Sequence, residues 1–528
     1  MIVSRRQAIA YIAGGWSLAS AQSSYDLLLK NGTIVDGSGT PRFRGDVAIR
    51  GDRIAAIGQN LPAAGARHVI NAADLIVAPG FIDNHAHLVT LESQPFAENF
   101  LRQGITTIMA SLHSQDEPWP LGDYRTRVRM APNVGLFAGH TWIRKRVMGL
   151  ANRDPSAAEL AEMRALVDES MRQGALGLAT GLEYVPANFS KTDEIIELAR
   201  VASKFNGYYV THMRDEGPGL IDAVRETLRI GEVARLPVLI NHLKATGAAQ
   251  FGWSAQALGL IDAAVAKGQR AAFDLYPYTA FSTYSDLMFP SWALADGHEA
   301  FQRRVADPAT RARLAAEMLH IFPQQAGSGP ASIQIREFKP VPSLQGRTLA
   351  DFLQDKGRPQ TIPEAVEALI EFQTQGGFIG IFHAMDEADV RRIMKHPLAM
   401  FDTDGDLVDP SSGFPHPRSY GAFPRVLAKY VREEHLLTLE EAVRKMTSMP
   451  AKWWGQGDRG LLKPGMFADV VVFDSEKIQD RSTYTDPNHY ATGIVHLLIN
   501  GTLVLENGAR TGNKPGRFME RPARPGKN

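Results

Sequence analysis

Cysteine is absent from the sequence, which has 528 residues. A chain without cysteine forms no disulfide, has no thiolate nucleophile and cannot bind a metal through a cysteine sulfur. Three classes of functional site are therefore excluded. The absence does not fix the compartment, although it suits an oxidising one, where a stray thiol is a liability.

The sequence also lacks an excess of charge of either sign, because Lys+Arg and Asp+Glu both number 57. This balance gives no indication of a basic surface for nucleic acid. After the N-terminus, no apolar run reaches the roughly 20 residues that span a bilayer. The composition, 44% hydrophobic and 22% charged, is that of a soluble globular protein. We expect neither a nucleic-acid nor a membrane partner for the mature chain, and the oligomeric state stays open.

The first residues resemble an export signal. Arg5-Arg6 is followed by a short apolar run at 8–18 and then by Ala19-Ser20-Ala21. A basic start, a short apolar segment and small residues at a cleavage site are typical of secretory signals, and paired arginines of the twin-arginine type. The alternative is an amphipathic N-terminal helix of a cytosolic protein. We expect residues 1–21 to be a signal peptide and the mature protein to be periplasmic or secreted.

The spacing of apolar residues divides the rest of the chain into domains. Short strands with Asn-Gly and Gly-Asp turns occur at 25–78 and again at 456–510, which predicts a small β-sandwich domain formed from both chain ends. Between them, at 79–455, apolar strands alternate with long helices. This alternation predicts an α/β fold, a (β/α)8 barrel of the TIM type. Residues 283–349 break the rhythm and predict an inserted subdomain, and 511–528 form a C-terminal tail.

Metal-binding residue types follow several of the predicted barrel strands. His85 and His87, at i and i+2 on an extended segment, point to the same side and can reach one metal ion. His212, His242 and Asp404 each stand just past another apolar strand. Any one of the last three alone would be an ordinary polar strand end. Together they predict a metal site at the C-terminal face of the barrel.

With these motifs the sequence resembles the metal-dependent amidohydrolase superfamily and, within it, the N-acyl-D-amino-acid deacylases. The resemblance extends from Tyr25 to about Arg517. The motifs that carry it are Pro-Gly-Phe-Ile-Asp-x-His-x-His at 79–87, Gly-His at 139–140, Gly-Leu-Ala-Thr-Gly-Leu-Glu-Tyr at 177–184, Thr-His-Met-Arg-Asp-Glu-Gly at 211–217, Asn-His-Leu-Lys at 241–244, Tyr-Pro-Tyr-Thr-Ala at 276–280, Thr-Asp-Gly at 403–405 and His-Pro-Arg at 416–418.

The resemblance implies zinc-dependent hydrolysis of the amide bond of an N-acyl-D-amino acid. It implies that His212 and His242 hold a tightly bound zinc, and that His85, His87 and Asp404 surround a weaker metal position. It further implies that Asp404 is the general base, which takes a proton from the metal-bound water and passes it to the leaving amine. A carboxylate is sufficient for this step, with no protein nucleophile.

The resemblance also implies four substrate contacts. Arg418 matches the arginine that grips the substrate α-carboxylate, a role that suits its planar fork of donors. Lys244 and Tyr276 match contacts to the carboxylate or the scissile carbonyl, and Ser282 matches a further polar contact. The alternative for Arg418 is a surface salt bridge.

One position departs from the family pattern. The deacylases carry a metal-binding cysteine after the strand that corresponds to 105–110, and here His113 takes its place. Neutral imidazole cancels none of the zinc charge and bridges two ions poorly, so we expect one tightly bound zinc and a weak or empty second position. The alternative is that His113 is a solvated loop residue, with Asp116, Glu117 or no residue as the replacement.

Two other functions remain open. The same metal apparatus hydrolyses cyclic amides, carbamates and peptide-like N-acyl compounds, although Arg418 and Lys244 favour a substrate with a carboxylate. A non-catalytic periplasmic binding protein on this fold is the second alternative. The loss of a histidine or of Asp404 would have indicated it, and all of them are present.

We predict that the mature protein begins at about Gln22, because Ala19-Ser20-Ala21 is the small-residue site that follows the apolar run. N-terminal sequencing of protein from the native host measures this. An intact Met1 on cytoplasmic material would contradict export.

We predict that His113→Ala lowers metal content and activity together, because the substitution removes a ligand of the tight site. Excess zinc should restore part of the activity. Metal analysis of the purified variant is the decisive measurement, and full occupancy would show that His113 is not a ligand.

Overall fold

A computed structural model describes residues 25–110, 118–411 and 413–521 of the chain. The predicted signal peptide and His113 lie outside these ranges. The strands are β1 (Tyr25–Ile34), β2 (Phe43–Arg50), β3 (Arg53–Gly58), β4 (Ala66–Asn71), β5 (Ile76–Pro79), β6 (Phe81–His87), β7 (Ile105–Ala110), β8 (Asn133–Leu136), β9 (Ala138–Gly139), β10 (Gly177–Gly181), β11 (Tyr208–His212), β12 (Val238–Ile240), β13 (Ala271–Leu275), β14 (Phe281–Tyr284), β15 (Ile333–Glu337), β16 (Ile379–Phe382), β17 (Ala399–Phe401), β18 (Gly405–Asp406), β19 (Val470–Phe473), β20 (Ile494–Ile499), β21 (Thr502–Glu506) and β22 (Ala509–Arg510).

The α-helices alternate with these strands through the middle of the chain. They are α1 (Glu98–Leu101), α2 (Leu121–Arg127), α3 (His140–Met148), α4 (Ala157–Arg172), α5 (Thr192–Ser203), α6 (Leu220–Ala234), α7 (Ser254–Ala266), α8 (Ser291–Leu294), α9 (His298–Ala306), α10 (Pro308–Gln325), α11 (Leu349–Asp355), α12 (Ile362–Gln373), α13 (Glu387–Lys395), α14 (Arg418–Arg425), α15 (Leu439–Met446) and α16 (Ser448–Trp453). Across the described ranges, no helix combines the length and the apolar character that crossing a bilayer requires.

The central strands form a parallel barrel, so the predicted fold class is confirmed. β6, β7 and β8 pair in order in one sheet, and β9, β10, β11, β12, β13 and β17 pair in order in a second. The chain runs from β8 directly into β9, and β18, which follows β17, pairs in parallel with β6. The last strand therefore returns to the first and closes the ring. Helices α5, α6 and α7 pack beside their strands on the outside.

Both chain ends contribute to one continuous nine-stranded sheet. β5 pairs with β1 and, on its other edge, antiparallel with β19 from the far end of the chain. The sequence predicted a small β-sandwich domain formed from both chain ends, and β5 joins the two sets of strands along one hydrogen-bonded path. The sheet has its own apolar core, which includes Leu29, Val47 and Val470.

The insertion is built on a small antiparallel sheet in the order β14–β16–β15. Its central strand, β16, lies at 379–382, so the insertion runs well past residue 349, where the sequence pattern placed its end. Periodicity missed β16 because its Ile-Gly-Ile-Phe sequence is as apolar as a barrel strand. The insertion places Ser282 and Arg336 beside the C-terminal ends of the barrel strands.

The barrel interior is a packed core that is closed from below by Trp454. Ile82 of β6, Met109 of β7, Met400 of β17 and Phe137, which lies between β8 and β9, form a buried cluster with Trp454. The indole nitrogen of Trp454 donates to Asn84 Oδ1 at 2.8 Å. The amide nitrogen of Asn84 in turn donates to the Phe401 carbonyl at 2.8 Å, which joins the first strand of the barrel to the last.

Candidate metal centre

Asp404 lies at the centre of the site and contacts both histidines of β6. Its Oδ1 is 3.0 Å from His87 Nε2 and 3.3 Å from His85 Nε2. His85 and Asp404 are buried, and His87 is partly exposed at the end of β6. The structure thus brings together residues that are more than 300 positions apart in the chain, because β18 pairs with β6.

The other two predicted histidines face each other beside this group. His212, the last residue of β11, has Nδ1 3.0 Å from Nε2 of His242, which follows β12. His242 Nε2 is also 4.0 Å from Asp404 Oδ2. Imidazole nitrogens and a carboxylate therefore converge on one small volume. His85, His242 and Asp404 form one group able to hold a metal ion, and His212, Glu216 and His242 form another.

His242 and Asp404 occupy backbone conformations that non-glycine residues rarely adopt, with φ of 39° and 44°. Such strain persists only where the surroundings enforce it. Asp274 accepts a hydrogen bond from the His242 amide at 2.5 Å. Asp83 accepts from the amide and the hydroxyl of Thr403, at 3.0 and 2.7 Å. These buried carboxylates hold the two strand ends in the shape that aims His242 and Asp404 into the site.

Burial makes the imidazoles of His85, His212 and His242 neutral at physiological pH. It lowers the pKa of His85 and of His212 to about 4, against the opposing pull of nearby carboxylates. Burial and the Lys244 ammonium lower the pKa of His242 well below its ordinary value. A neutral imidazole has a lone pair to offer, so these residues are in the form that binds a metal.

Asp404 is ionised for a different reason. Burial alone would raise its pKa, but Arg418, His242 and the β6 histidines hold it well below the ordinary range. The largest of these contributions comes from Arg418, whose NH1 lies 2.6 Å from Asp404 Oδ2. Arg418 is buried, so it is not the surface salt bridge considered as an alternative.

The remaining predicted contacts lie around this pair. Lys244 is buried, with Nζ 2.7 and 2.6 Å from the two carboxylate oxygens of Glu216. The Tyr276 ring lies under the Arg418 guanidinium at 4.8 Å, and its hydroxyl donates to Met385 Sδ at 3.8 Å. The Ser282 carbonyl accepts from Arg418 NH2 at 3.4 Å.

A cavity of about 150 Å³ opens onto these residues. Its lining includes His87, His212, Lys244, Ser282, Asp404 and Arg418. Arg336 of the insertion also lines it and donates to the Ser282 hydroxyl at 3.2 Å, while its NH2 pairs with Asp406 at 2.5 Å. Arg336 and Asp406 had no predicted role.

Two glutamates at the site had no predicted role, although both lie inside the family motifs at 177–184 and 211–217. Glu183 Oε2 is 2.7 Å from His212 Nε2, and Glu216 Oε1 is 3.0 Å from His242 Nδ1. Glu183 stands two residues past β10, the position relative to a strand that singled out the other candidates, so the same criterion could have found it. Glu216 stands four residues past His212 and is less apparent from position alone.

The donor set fits a zinc ion. Zinc binds imidazole nitrogen and carboxylate oxygen at about 2.0–2.2 Å in tetrahedral geometry, which puts two ligand nitrogens about 3.3 Å apart. The facing nitrogens of His212 and His242, at 3.0 Å, are close to that separation. His113, proposed as a further ligand, lies outside the described residues, so its part in the site stays a prediction.

Comparison with known proteins places the chain among amide hydrolases. The amidohydrolase family profile matches residues 68–505. The chain is 37% identical to a D-aminoacylase of Alcaligenes xylosoxydans xylosoxydans, across 96% of this chain and 99% of that protein. A D-aminoacylase structure with a binuclear metal centre is 34% identical, with a TM-score of 0.79 over 94% of this chain and all of that one.

A second solved structure contains a metal and an inhibitor. It is the N-acyl-D-glutamate deacylase of Bordetella bronchiseptica, complexed with zinc and a phosphonate that mimics the tetrahedral intermediate. It is 32% identical, with a TM-score of 0.78 over 94% of this chain and 99% of that chain.

Proposed function

The chain belongs to the amidohydrolase family, among the N-acyl-D-amino-acid deacylases, and on that premise we propose that it hydrolyses N-acyl-D-amino acids with zinc. The products are a carboxylic acid and a free D-amino acid. We propose one tightly bound zinc with His212 and His242 among its ligands. His85, His87 and Asp404 surround a second, weaker position.

The main support for this proposal is that Asp404 contacts both the β6 histidines and Arg418. One carboxylate oxygen faces the β6 histidines, and the other faces Arg418 at 2.6 Å. The proposed general base, Asp404, is therefore in direct contact with the arginine proposed to bind the carboxylate, Arg418. In an N-acyl amino acid the scissile amide and the α-carboxylate are separated by a single carbon, so this short spacing matches the substrate.

His212 and His242 would hold a zinc ion, which would supply Lewis-acid activation of a water molecule and of the scissile carbonyl. Asp404 accepts a proton from the attacking water, because it is ionised and lies beside the histidines that hold the metal. It then donates that proton to the nitrogen of the leaving amine as the amide bond breaks. The site thus needs no protein nucleophile.

Substrate binding changes the partner of Arg418. In the free protein the guanidinium pairs with Asp404, and in the complex it turns its planar fork to the α-carboxylate, which accepts two parallel hydrogen bonds. Lys244 lines the same cavity and adds a second positive charge. The cavity of about 150 Å³ is small, so part of a long substrate extends beyond it.

We predict that zinc-loaded protein releases D-amino acids from N-acetyl-D-amino acids, and that activity on the L-enantiomers and on hydantoins is much lower. The panel should include neutral and acidic side chains. Asp404→Asn is the matched control, because it keeps the shape of the side chain but removes the proton acceptor. Its turnover should fall by roughly 10²–10⁴-fold. Activity on hydantoins that exceeds that on every N-acyl-D-amino acid would contradict the proposal.

We predict that Arg418→Lys keeps the charge but loses the two-pronged grip on the carboxylate. The kcat/KM for N-acyl-D-amino acids should fall, with a smaller fall for the corresponding carboxamides, which have no carboxylate to hold. Steady-state kinetics on matched acid and amide substrates give the comparison. An equal loss on both would count against the assigned role of Arg418.

A further inference from the structure

We propose that Glu183 and Glu216 are positioning residues that orient His212 and His242 for metal binding. The proposal rests on the metal centre described above, and not on which amide is cleaved. His212 and His242 share one arrangement. Each has one ring nitrogen turned towards the centre and the other turned towards a buried glutamate.

His212 shows the arrangement in its simpler form. Nδ1 faces His242, while Nε2 is 2.7 Å from Glu183 Oε2. Only 9% of the Glu183 side chain is exposed, and 7% of His212. Burial and the neighbouring Glu216 raise the pKa of Glu183 well above its ordinary value, whereas a bound zinc ion would favour the ionised form. An ionised Glu183 can only accept, so Nε2 then carries the proton and donates it to Glu183. The lone pair is thereby left on Nδ1, on the side where the metal binds.

His242 has two competing partners at its outer nitrogen. Nδ1 is 3.0 Å from Glu216 Oε1 and 2.7 Å from Lys244 Nζ. If Nδ1 donates to Glu216, the lone pair lies on Nε2, which faces His212 and Asp404. If Lys244 donates to Nδ1 instead, the proton moves to Nε2 and blocks the metal. Glu216 accepts from both groups and draws the ammonium towards itself, which favours the tautomer that binds zinc.

The glutamates also affect how strongly the histidines bind zinc. A carboxylate bound to the outer nitrogen of a ligand histidine also makes that imidazole more basic and a better ligand.

The test measures zinc binding and needs no substrate. Glu183→Gln and Glu216→Gln keep the size of each side chain and remove its charge, and Glu183→Ala also removes the hydrogen bond. Zinc affinity, measured by competition with a chelator of known affinity, should fall about 10- to 100-fold in each variant, as other losses of such partners do. Circular dichroism without metal shows whether each variant is folded.

Glu226→Gln is the matched control. Glu226 accepts from Arg214 at 2.9 and 2.8 Å and from Thr192 at 2.8 Å, so it is a partly buried glutamate near the same loop whose hydrogen-bond partners are not ligand histidines. Its zinc affinity should stay within twofold of the original chain. An equal loss in the control would overturn the proposal, because the effect would then be a general one.

A rescue experiment separates tautomer control from simple support of the fold. In Glu216→Gln, Lys244 loses its carboxylate partner and remains close to Nδ1 of His242. Adding Lys244→Met removes that competitor, so the double variant should recover at least part of the zinc affinity. Failure to recover, or zinc affinity within twofold of the original in all the Gln and Ala variants, would overturn the proposal. Since substrates are not used, failure of the proposed deacylase activity would be seen separately.

Discussion

Closure of the barrel between β6 and the β17–β18 segment is the interaction on which the rest of the structure depends. Asn84 donates to the Phe401 carbonyl, and the Asp404 amide donates to the His85 carbonyl at 2.9 Å. Trp454 supports Asn84 from below. Because this seam sets the distance between the first and last strands, it also sets the contact of Asp404 with the β6 histidines. The chemistry of the site is therefore a direct consequence of how the barrel closes.

Three sets of buried acidic residues surround the centre, and they differ in what they contact. Asp83 and Asp274 bind backbone groups and hold the strained strand ends in place. Glu183 and Glu216 contact the outer nitrogens of the histidines, and Asp404 faces the reaction itself. The contacts of the glutamates depend on those of Asp83 and Asp274, because an imidazole is oriented only if its backbone is fixed.

The barrel and the insertion contribute different parts of the site. The barrel strands carry the metal-binding residues on a rigid scaffold, as functional sites require. The insertion contributes Ser282, Tyr284 and Arg336 to the cavity wall. Changes in the insertion can therefore alter which substrates fit without disturbing the metal centre. This division agrees with a family fold in which related proteins bear the names of deacylases for different D-amino acids.

Local and periodic features of the sequence were sufficient to predict the alternation of barrel strands and helices, the His85–His87 pair and the strand-end positions of His212, His242 and Asp404. The link through β5 between the two terminal sets of strands, and the extension of the insertion to β16, became apparent in the folded chain. The same is true of the pairing of Arg418 with Asp404 and of the contacts of Glu183 and Glu216 with the ligand histidines. These contacts join side chains from different strand ends. Hydrophobic periodicity reports which face of an element is buried, and carries no information about which polar group a buried side chain meets.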